Sequence, residues 1–247
     1  MPELAGRRYW LVGASEGLGL ALARALDAEG ASLVLSARNA AKLDALASSL
    51  RDARALPMDV TDPQSVSNAA GNAREMDGVV YIAGAYEPMT AAAWGPEEAA
   101  RMAEVNFVGA LRVLGHMVPG FAARGTGHVV LIGSLSGFAG LPGAIGYGAS
   151  KAGLMHLAEN IRVDLRGTGV VVQRVNPGFI RTRLTSKNDF AMPALLTPEE
   201  AAQATIDGFA GSAFEIHYPK RFTRVLKLLA HLPYRLYFPL IHRFAGR

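Results

Sequence analysis

The sequence contains no cysteine, and no hydrophobic run is long enough to cross a bilayer. The absence of cysteine excludes disulfides, thiol catalysis and thiolate-bound zinc, and it fits a reducing compartment. A transmembrane helix needs about 20 apolar residues, whereas the first apolar run covers only residues 9–12. Because Glu3 is acidic and Arg7 and Arg8 directly precede that run, the N-terminus does not resemble a signal peptide. We therefore expect a cytoplasmic protein.

Acidic residues are also absent after Glu215. Residues 1–215 hold 21 acidic and 18 basic residues, so their net charge is −3 although the whole chain carries +4. Such an asymmetry suggests that the tail has a partner of its own. The basic residues of the tail are Lys220, Arg221, Arg224, Lys227, Arg235, Arg243 and Arg247.

Short apolar runs alternate with segments of helical length that are rich in Ala and Leu. The predicted strands are residues 9–12, 32–35, 79–83, 129–132 and 170–175, with 214–217 as a candidate last strand, and the predicted helices include 17–28 and 40–50. This alternation is typical of parallel βαβ units with helices on both faces. We predict an α/β fold, with a Rossmann-like doubly wound parallel sheet in three layers and a C-terminal helical extension.

The chain shows no internal repeat or linker, so we predict one domain. Its catalytic part would cover residues 1–218, and a basic helical extension would cover 219–247. Residues 179–196 lack periodicity, and long irregular segments in compact domains are often lids. A helix should begin right after them, because Thr197 can cap it, Pro198 suits its first turn and Glu200 can return the capping bond.

A glycine-rich loop follows the first predicted strand and opens a helix. Glycine allows the sharp turn, lets a pyrophosphate approach the backbone and lets the helix pack closely on the sheet. The helix N-terminus offers free N–H groups to the phosphate. Its position between strand and helix favours a dinucleotide site. The loop reads Gly13-Ala14-Ser15-Glu16-Gly17-Leu18-Gly19.

The end of the second predicted strand carries Arg38 and no acid. An acid there would hold the 2′-hydroxyl of NAD, whereas an arginine accommodates the 2′-phosphate of NADP. We therefore predict NADP as the cofactor, with NAD less favoured. The alternative is that Arg38 is only a solvated residue at the start of a helix.

Tyr147 and Lys151 lie four residues apart, on one face of a predicted helix. A tyrosine has an ordinary pKa of about 10, and a neighbouring cation lowers it. Such a pair can transfer a proton during hydride transfer at an alcohol or ketone carbon. The spacing alone is common, and by itself it indicates a surface pair.

Several further motifs occur in an order that makes the pair specific. With them, residues 6–215 resemble a short-chain dehydrogenase/reductase of the single-domain type. The matching residues are the glycine loop, Asp59-Val60, Ala83-Gly84, Asn106, Ser134, Tyr147, Lys151 and Asn176-Pro177-Gly178.

The resemblance implies a catalytic role for four residues. Ser134 would polarise the substrate carbonyl, Tyr147 would donate or accept the proton, and Lys151 would lower the pKa of Tyr147 and bind the nicotinamide ribose. Asn106 would hold a water in the proton relay. Asn106 could instead be a helix-kink residue.

The resemblance also implies a set of cofactor contacts and no metal. Asp59 would contact the adenine with Val60 beside it, although Asp59 could instead cap a helix before Pro63, and Pro177 could simply end a strand. The whole implied set is Gly13, Ser15, Glu16, Gly17, Leu18, Gly19, Arg38, Asp59, Val60, Ala83, Gly84, Tyr147, Lys151, Pro177, Gly178, Ile180 and Thr182.

Two positions depart from the family pattern. Val12 stands where the family usually has Thr, and Tyr81-Ile82 replaces an Asn-Asn pair. The missing side chains normally tie the central sheet to the cofactor loops. We therefore expect a less rigid loop and weaker cofactor binding, with the acid–base residues unaffected.

The substrate pocket is expected to be apolar. Its predicted wall comes from residues 86–94, 138–145 and the segment after Phe179, which favours a hydrophobic carbonyl compound or secondary alcohol. The same residues could simply pack a lid onto the core. They are Phe138, Leu141, Ile145, Phe179, Leu184, Phe190, Met192 and Leu195.

The tail beyond residue 218 has apolar residues at helical spacing, including Phe244, and Pro233 and Pro239 should split it into two short helices. On a helical wheel, five basic side chains fall within an arc of about 120°. A basic amphipathic helix favours a peripheral membrane contact, while packing on its own domain or on another subunit is the alternative. No nucleic-acid recognition motif accompanies the basic residues. The five are Lys220, Arg221, Arg224, Lys227 and His231.

The favoured function is an NADP-dependent carbonyl reductase or alcohol dehydrogenase acting on a small, hydrophobic molecule. A cofactor-binding sensor without catalysis, or a membrane-tethered scaffold, is the alternative, and Tyr81-Ile82 is the feature that favours the sensor. The resemblance further implies a homo-oligomer, either a dimer or a tetramer.

Overall fold

The computed structural model describes residues 4–245, with the backbone alone described at 244 and 245. Glu3, Arg247 and the side chain of Phe244 therefore lie outside the described part. Seven parallel strands form one sheet in the order β3-β2-β1-β4-β5-β6-β7. The strands are β1 Arg8–Val12, β2 Ser32–Ser36, β3 Ala53–Ala55, β4 Gly78–Tyr81, β5 Thr126–Ile132, β6 Gly169–Pro177 and β7 Glu215–Tyr218.

Helices cover both faces of this sheet, so the doubly wound, three-layer prediction is confirmed. Short 3-10 turns occur at Ala91–Ala93, Leu135–Gly137 and Thr185–Lys187, and a π-helical turn at Glu104–Val108 joins α4 to α5. The helices are α1 Gly17–Ala28, α2 Ala40–Ser48, α3 Pro63–Asn72, α4 Pro96–Ala103, α5 Gly109–Arg124, α6 Ile145–Asp164, α7 Pro198–Phe209, α8 Lys220–Ala230 and α9 Tyr234–Ala245.

Strand β1 shows why the sheet is covered on both sides. Tyr9 and Leu11 enter the core formed with α1, α2 and α7, whereas Trp10 and Val12 enter the core formed with α3, α5 and α6. Successive strand residues point to opposite faces, so a strand that is apolar throughout must be buried twice. Strand β3 escaped prediction because its three residues, Ala53–Ala55, are too few to show a pattern.

The strand order reverses between β1 and β4. Open parallel sheets form their ligand crevice at such a reversal, outside the carboxyl ends of the strands. The glycine loop follows β1 at this edge, and residues 82–85 follow β4. The topology therefore brings these two loops to the place where a dinucleotide binds in folds of this type.

The helix start at residue 197 is confirmed as a reciprocal capping box. The Thr197 hydroxyl accepts from the Glu200 amide at 3.1 Å, and the Glu200 carboxylate accepts from the Thr197 amide at 2.8 Å. Such caps stabilise a helix by about 1 kcal/mol. The preceding segment is irregular, with one short turn and a single bridge between Ile180 and Leu196.

The end of the chain forms two helices, α8 and α9, as predicted. Pro233 separates them, but Pro239 lies inside α9 and does not split it. Proline removes one helical hydrogen bond; here Tyr237 and Ile241, on either side of it, are buried and hold the helix against the domain. Among the described residues, none of the helices combines the length and the apolarity that a membrane span requires.

Candidate active site

A cleft of about 610 Å³ opens at the carboxyl ends of the strands. Among the predicted site residues, Gly19 and Asn106 do not line it. The others do, although they come from seven separate parts of the chain. They are Gly13, Ser15, Glu16, Gly17, Leu18, Arg38, Asp59, Val60, Ala83, Gly84, Ser134, Tyr147, Lys151, Pro177, Gly178, Ile180 and Thr182.

The glycine loop has the shape of a phosphate cradle. Gly13 has φ +105°, and a methyl group there would lie 2.5 Å from the backbone nitrogen of Ala83. Gly19 packs so closely that a methyl group would lie 2.0 Å from the Gly13 carbonyl oxygen. Helix α1 begins at Gly17, and the extended residue before it, Glu16, gives it no side-chain cap. The N-terminus of α1 therefore faces the cleft ready to receive an anionic group.

Glu16 ties this loop to the far side of the cleft. Its carboxylate accepts from Arg183 Nε at 2.9 Å and pairs with Lys42 at 3.3 Å. The hydrogen bond from Arg183 is the main reason why the pKa of Glu16 is lowered. Sequence reasoning missed Arg183 and Lys42, because Arg183 lies 167 residues from its partner and no local pattern marks it.

Arg38 lies exposed on the rim of the cleft, at the end of β2. Within the described part of the chain, its side chain makes no ion pair and no hydrogen bond. The cap of α2 is Asn39, which accepts from the Lys42 amide at 3.0 Å, so Arg38 is not needed to start that helix. A guanidinium without a partner at this rim suits a phosphate group.

Asp59 does not cap a helix either. The cap of α3 is Asp62, which accepts from the Gln64 amide at 2.9 Å. The Asp59 carboxylate instead accepts from the amide and the hydroxyl of Thr61, at 2.9 and 2.8 Å. These bonds fix Asp59 against the wall of the cleft, beside Val60.

Helix α6 brings Tyr147 and Lys151 to the floor of the cleft, and Ser134 reaches it from the loop after β5. Lys151 is only 3% exposed, and its Nζ donates to the Ile132 carbonyl at 2.7 Å. The same Nζ lies 5.8 Å from the centre of the Tyr147 ring. The Ser134 hydroxyl accepts from the amide and the hydroxyl of Ser136, at 3.2 and 3.0 Å. The three groups thus lie together at one end of the cleft, with Lys151 the most buried of them.

Burial changes the acidity of this pair in a way the sequence did not predict. It raises the pKa of Tyr147 to about 12, while a hydrogen bond with Ser134 acts in the opposite direction. It also lowers the pKa of Lys151 to about 8. Desolvation thus outweighs the lowering that we expected from Lys151, whose ammonium donates to the Ile132 carbonyl. Tyr147 is therefore a protonated phenol at neutral pH.

Asn106 lies behind the cleft wall, in the π-helical turn between α4 and α5. It is fully buried; its Oδ1 accepts from the Ala85 amide at 2.7 Å, and its Nδ2 donates to the Ala85 carbonyl at 3.0 Å and to the Ser150 hydroxyl at 2.9 Å. These bonds fix the loop after β4 relative to α6. The hydrogen-bond partners of Asn106 are therefore groups of the protein itself. The alternative interpretation, a residue that kinks the helix, agrees with the π-helical turn in which Asn106 lies.

Tyr81, one of the residues that depart from the family pattern, is buried and forms a hydrogen bond of its own. Its hydroxyl donates to the Val105 carbonyl at 2.6 Å, in the π-helical turn. Gly109 makes room for it, since a methyl group there would lie 2.5 Å from the phenol oxygen. The Val12 carbonyl also accepts from the amides of residues 82 and 83, both at 2.8 Å. Backbone bonds therefore connect β1 to the loop after β4, and the phenol connects β4 to the π-helical turn.

The substrate side of the cleft differs from the predicted apolar wall. Of the eight predicted apolar residues, only Leu184 lines the cleft. Phe179 instead packs against the rings of Phe190 and Phe222. These contacts fix residues 179–196, the lid segment, to α8. Tyr86 lies beside Tyr147, and the two rings meet edge to face with their centroids 4.9 Å apart.

The mouth of the cleft is polar beyond Tyr86. The Tyr86 hydroxyl donates to Asn188 Oδ1 at 2.7 Å, and Lys187 donates to the Tyr86 carbonyl at 3.0 Å and pairs with Glu87. These contacts join the lid segment to the loop after β4. Sequence reasoning missed Lys187 and Asn188, because no motif surrounds them.

The fold and the cleft together define an oxidoreductase that works with a nicotinamide nucleotide. Comparison with known proteins agrees: the family profile described as short chain dehydrogenase matches residues 9–192. An uncharacterized oxidoreductase of Myxococcus xanthus is 33% identical over 240 residues, which cover 93% of this chain and 95% of that protein. The chain therefore belongs to the short-chain dehydrogenase family.

Two solved structures show the same similarity. A short-chain dehydrogenase from Sphingobium yanoikuyae, in complex with NADPH, is 27% identical with a TM-score of 0.81, and the match covers 92% of this chain and 97% of that one. A short chain dehydrogenase from Burkholderia cenocepacia, in complex with NADP, is 25% identical with a TM-score of 0.84, and the match covers 99% of each chain.

Proposed function

We propose that this oxidoreductase prefers NADP(H) and interconverts a carbonyl group and a secondary alcohol on a substrate with apolar character. The observation that carries the proposal is the position of Arg38, unpaired within the described residues, on the rim of the cleft that also contains Ser134, Tyr147 and Lys151. Both solved relatives reported above contain the phosphorylated form of the cofactor.

The residues of the cleft fit such a cofactor. The glycine loop and the N-terminus of α1 would hold the pyrophosphate, Arg38 the 2′-phosphate, and Asp59 with Val60 the adenine. Residues 177–182 would lie along the nicotinamide end. When bound, the cofactor supplies or accepts the hydride.

The protein's own groups manage the proton. Ser134 donates a hydrogen bond to the substrate oxygen and holds it near the Tyr147 phenol. Since Tyr147 is protonated at neutral pH, it can donate its proton to that oxygen during reduction. The Lys151 ammonium lies beneath the ring and stabilises the negative charge that develops on the phenol.

The substrate is proposed to carry an apolar group next to its reacting carbon. Tyr86 and Leu184 line the cleft, with Tyr86 against Tyr147, and would receive the apolar group, while Lys187 and Glu87 at the mouth would accommodate a polar end. The sensor without catalysis is not proposed, since Ser134, Tyr147 and Lys151 are all present in the cleft. A homo-oligomer and a cytoplasmic location stay predictions.

We expect Arg38→Ala to lower kcat/KM for NADPH roughly 10- to 100-fold and to leave kcat/KM for NADH unchanged. A hydrogen bond to a charged group contributes about 1.5–3 kcal/mol. NADH has no 2′-phosphate, so the substitution removes no such bond from its complex. The measurement is cofactor oxidation with a panel of ketones that differ in apolar chain length. Arg166→Ala, which removes an exposed arginine elsewhere, is the matched control. A higher kcat/KM with NADH in the unaltered protein would overturn the cofactor assignment, and no oxidation with any ketone would overturn the reaction.

We also expect kcat/KM for NADPH to fall as pH rises through about 8. The pKa of Lys151 is lowered to about 8 by burial, so its ammonium charge is present below that pH and lost above it. Lys151→Arg keeps the charge throughout this range and should abolish the decline, even if its maximal rate is lower. A pH profile of both proteins tests this, and an unchanged alkaline decline in the arginine variant would contradict the assignment to Lys151.

A further inference from the structure

The last two helices expose an unusual amount of apolar surface. Across residues 4–243, nine large apolar side chains are exposed, and five of them lie on α8 and α9. Basic residues lie between them, and no acidic residue follows Glu215. The C-terminal surface consists of the apolar side chains Val225, Leu228, Tyr234, Leu236 and Phe238 and the basic side chains Lys220, Arg221, Arg224, Arg235 and Arg243.

Helix α8 is fixed to the domain by its opposite face. The Thr223 hydroxyl is fully buried, donates to the Pro219 carbonyl at 3.0 Å and bonds to His217 Nδ1 at 2.5 Å. Lys227 pairs with Glu215 and lies 5.7 Å from the centre of the Phe138 ring. Lys227, which the helical wheel placed on the basic arc, therefore faces the domain. Helix α8 therefore packs on its own domain through one face, and within the described part of the chain its other face is exposed to solvent.

Helix α9 is anchored in the same way. Tyr237 and Ile241 are buried, and the Tyr237 hydroxyl donates to the Gly140 carbonyl at 2.8 Å. On the outer side, the rings of Tyr234 and Phe238 stack with their centroids 5.3 Å apart, and both side chains are mostly exposed. An apolar groove of about 520 Å³ runs between α9 and residues 140–142 beside these rings. The C-terminal surface thus belongs to two helices that are anchored to the domain, and it offers apolar groups and positive charge together.

Three kinds of partner could cover such a surface, and its chemistry separates them. A second copy would bring the surface against its own image, so basic residues would meet basic residues with no acid after Glu215 to neutralise them. A nucleic acid would use the positive charge, but it would not need the exposed apolar side chains that lie between the basic residues. An anionic bilayer uses both, because its headgroups attract the bases while its acyl boundary accepts the apolar side chains.

We propose that the C-terminal surface docks onto an anionic lipid bilayer as a peripheral contact. The lysine and arginine side chains attract the protein to the lipid headgroups, and the exposed side chains of Leu228, Leu236 and Phe238 enter the acyl boundary. The groove beside Phe238 gives acyl chains an apolar wall. The contact is reversible and depends on salt, since much of it is electrostatic.

The test is co-sedimentation with vesicles of phosphatidylcholine alone and of phosphatidylcholine mixed with phosphatidylserine. We expect the protein to sediment with the mixed vesicles only, and to dissociate as salt rises. The double variant Arg224→Glu, Arg235→Glu should weaken binding at least about 25-fold, because each base near an anionic surface contributes about fivefold in affinity. The double variant Leu228→Ser, Phe238→Ser should also weaken binding while leaving the charge intact.

Two matched controls lie outside the C-terminal surface. Arg166→Glu reverses an exposed arginine, and Val163→Ser removes an apolar side chain that is 71% exposed, as is Leu228. Neither should change vesicle binding, and circular dichroism with NADPH affinity shows whether each variant is folded. Point variants are sharper than truncation, since removal of α8 would break the contacts of Thr223 and Lys227 with β7.

Several results would overturn the proposal. They are no sedimentation with mixed vesicles, equal sedimentation with both vesicle types, and equal weakening by the control variants. A loss of oligomer in the Leu228 and Phe238 variant without lipid, measured by light scattering, would assign the surface to a second copy instead. Preferential binding of RNA or DNA that depends on Arg224 and Arg235 but not on Leu228 would assign it to nucleic acid. None of these outcomes bears on the Arg38 experiment, so the two proposals fail separately.

Discussion

Replacing Tyr147 by Phe is expected to lower kcat for carbonyl reduction by ~10²- to 10⁴-fold, the usual contribution of a general acid. The substitution removes the phenolic proton and keeps the ring. The edge-to-face contact with Tyr86 at 4.9 Å and the buried volume should therefore survive. NADPH affinity should change little, because the glycine loop and Arg38 are untouched.

Single-turnover oxidation of NADPH with a reactive ketone measures this step, and fluorescence titration measures cofactor binding. Tyr86→Phe is the matched control, since it removes a phenol from the same cleft that bonds to Asn188 and not to the reacting groups. It should reduce kcat less than tenfold, in line with the loss of one hydrogen bond of about 1 kcal/mol. A turnover rate that Tyr147→Phe leaves unaltered would show that another group supplies the proton.

Local requirements explain what could be predicted from the sequence. Gly13 and Gly19 must be glycine because backbone atoms lie close to where a methyl group would be. The glycines themselves can be read directly from the sequence. Tyr147 and Lys151 share a helix face because of a fixed spacing. The capping box at Thr197 follows from three neighbouring residue types. Apart from the contact of Gly13 with Ala83, each of these features depends on residues close in the chain, where sequence patterns are informative.

Properties that arise from distant contacts could not be predicted. Glu16 pairs with Arg183, which lies 167 residues away in the chain. Lys227 was expected on an exposed basic face of α8, but its side chain pairs with Glu215 of the domain. The high pKa of Tyr147 depends on its burial among parts of the chain that are distant in sequence. The expected apolar wall failed for the same reason, because Phe179 and its neighbours were needed to fix the lid.

Replacing Gly13 by Ala is expected to lower the free energy of unfolding by about 3–5 kcal/mol and to abolish NADPH binding. A non-glycine residue at φ +105° is strained, which costs about 1–3 kcal/mol. The new methyl group would also lie 2.5 Å from the Ala83 nitrogen and 2.7 Å from its Cα. These are backbone atoms held by the Val12 carbonyl, so the contact can be relieved only by moving the loop after β4. Large losses of stability generally have such a steric cause.

Urea unfolding measures the stability, and thermal shift with and without NADPH measures cofactor binding. Gly71→Ala is the matched control: this glycine lies in α3, and nothing lies within 4 Å of the added methyl group. Alanine there should stabilise the protein by about 0.5–1 kcal/mol, because it favours helix and restricts the unfolded chain. If Gly13→Ala unfolded at the same urea concentration as the unaltered protein, the close approach of the glycine loop to Ala83 would be wrong. The phosphate cradle built on it would then have to be abandoned, since the same approach shapes the space that the cofactor is proposed to fill.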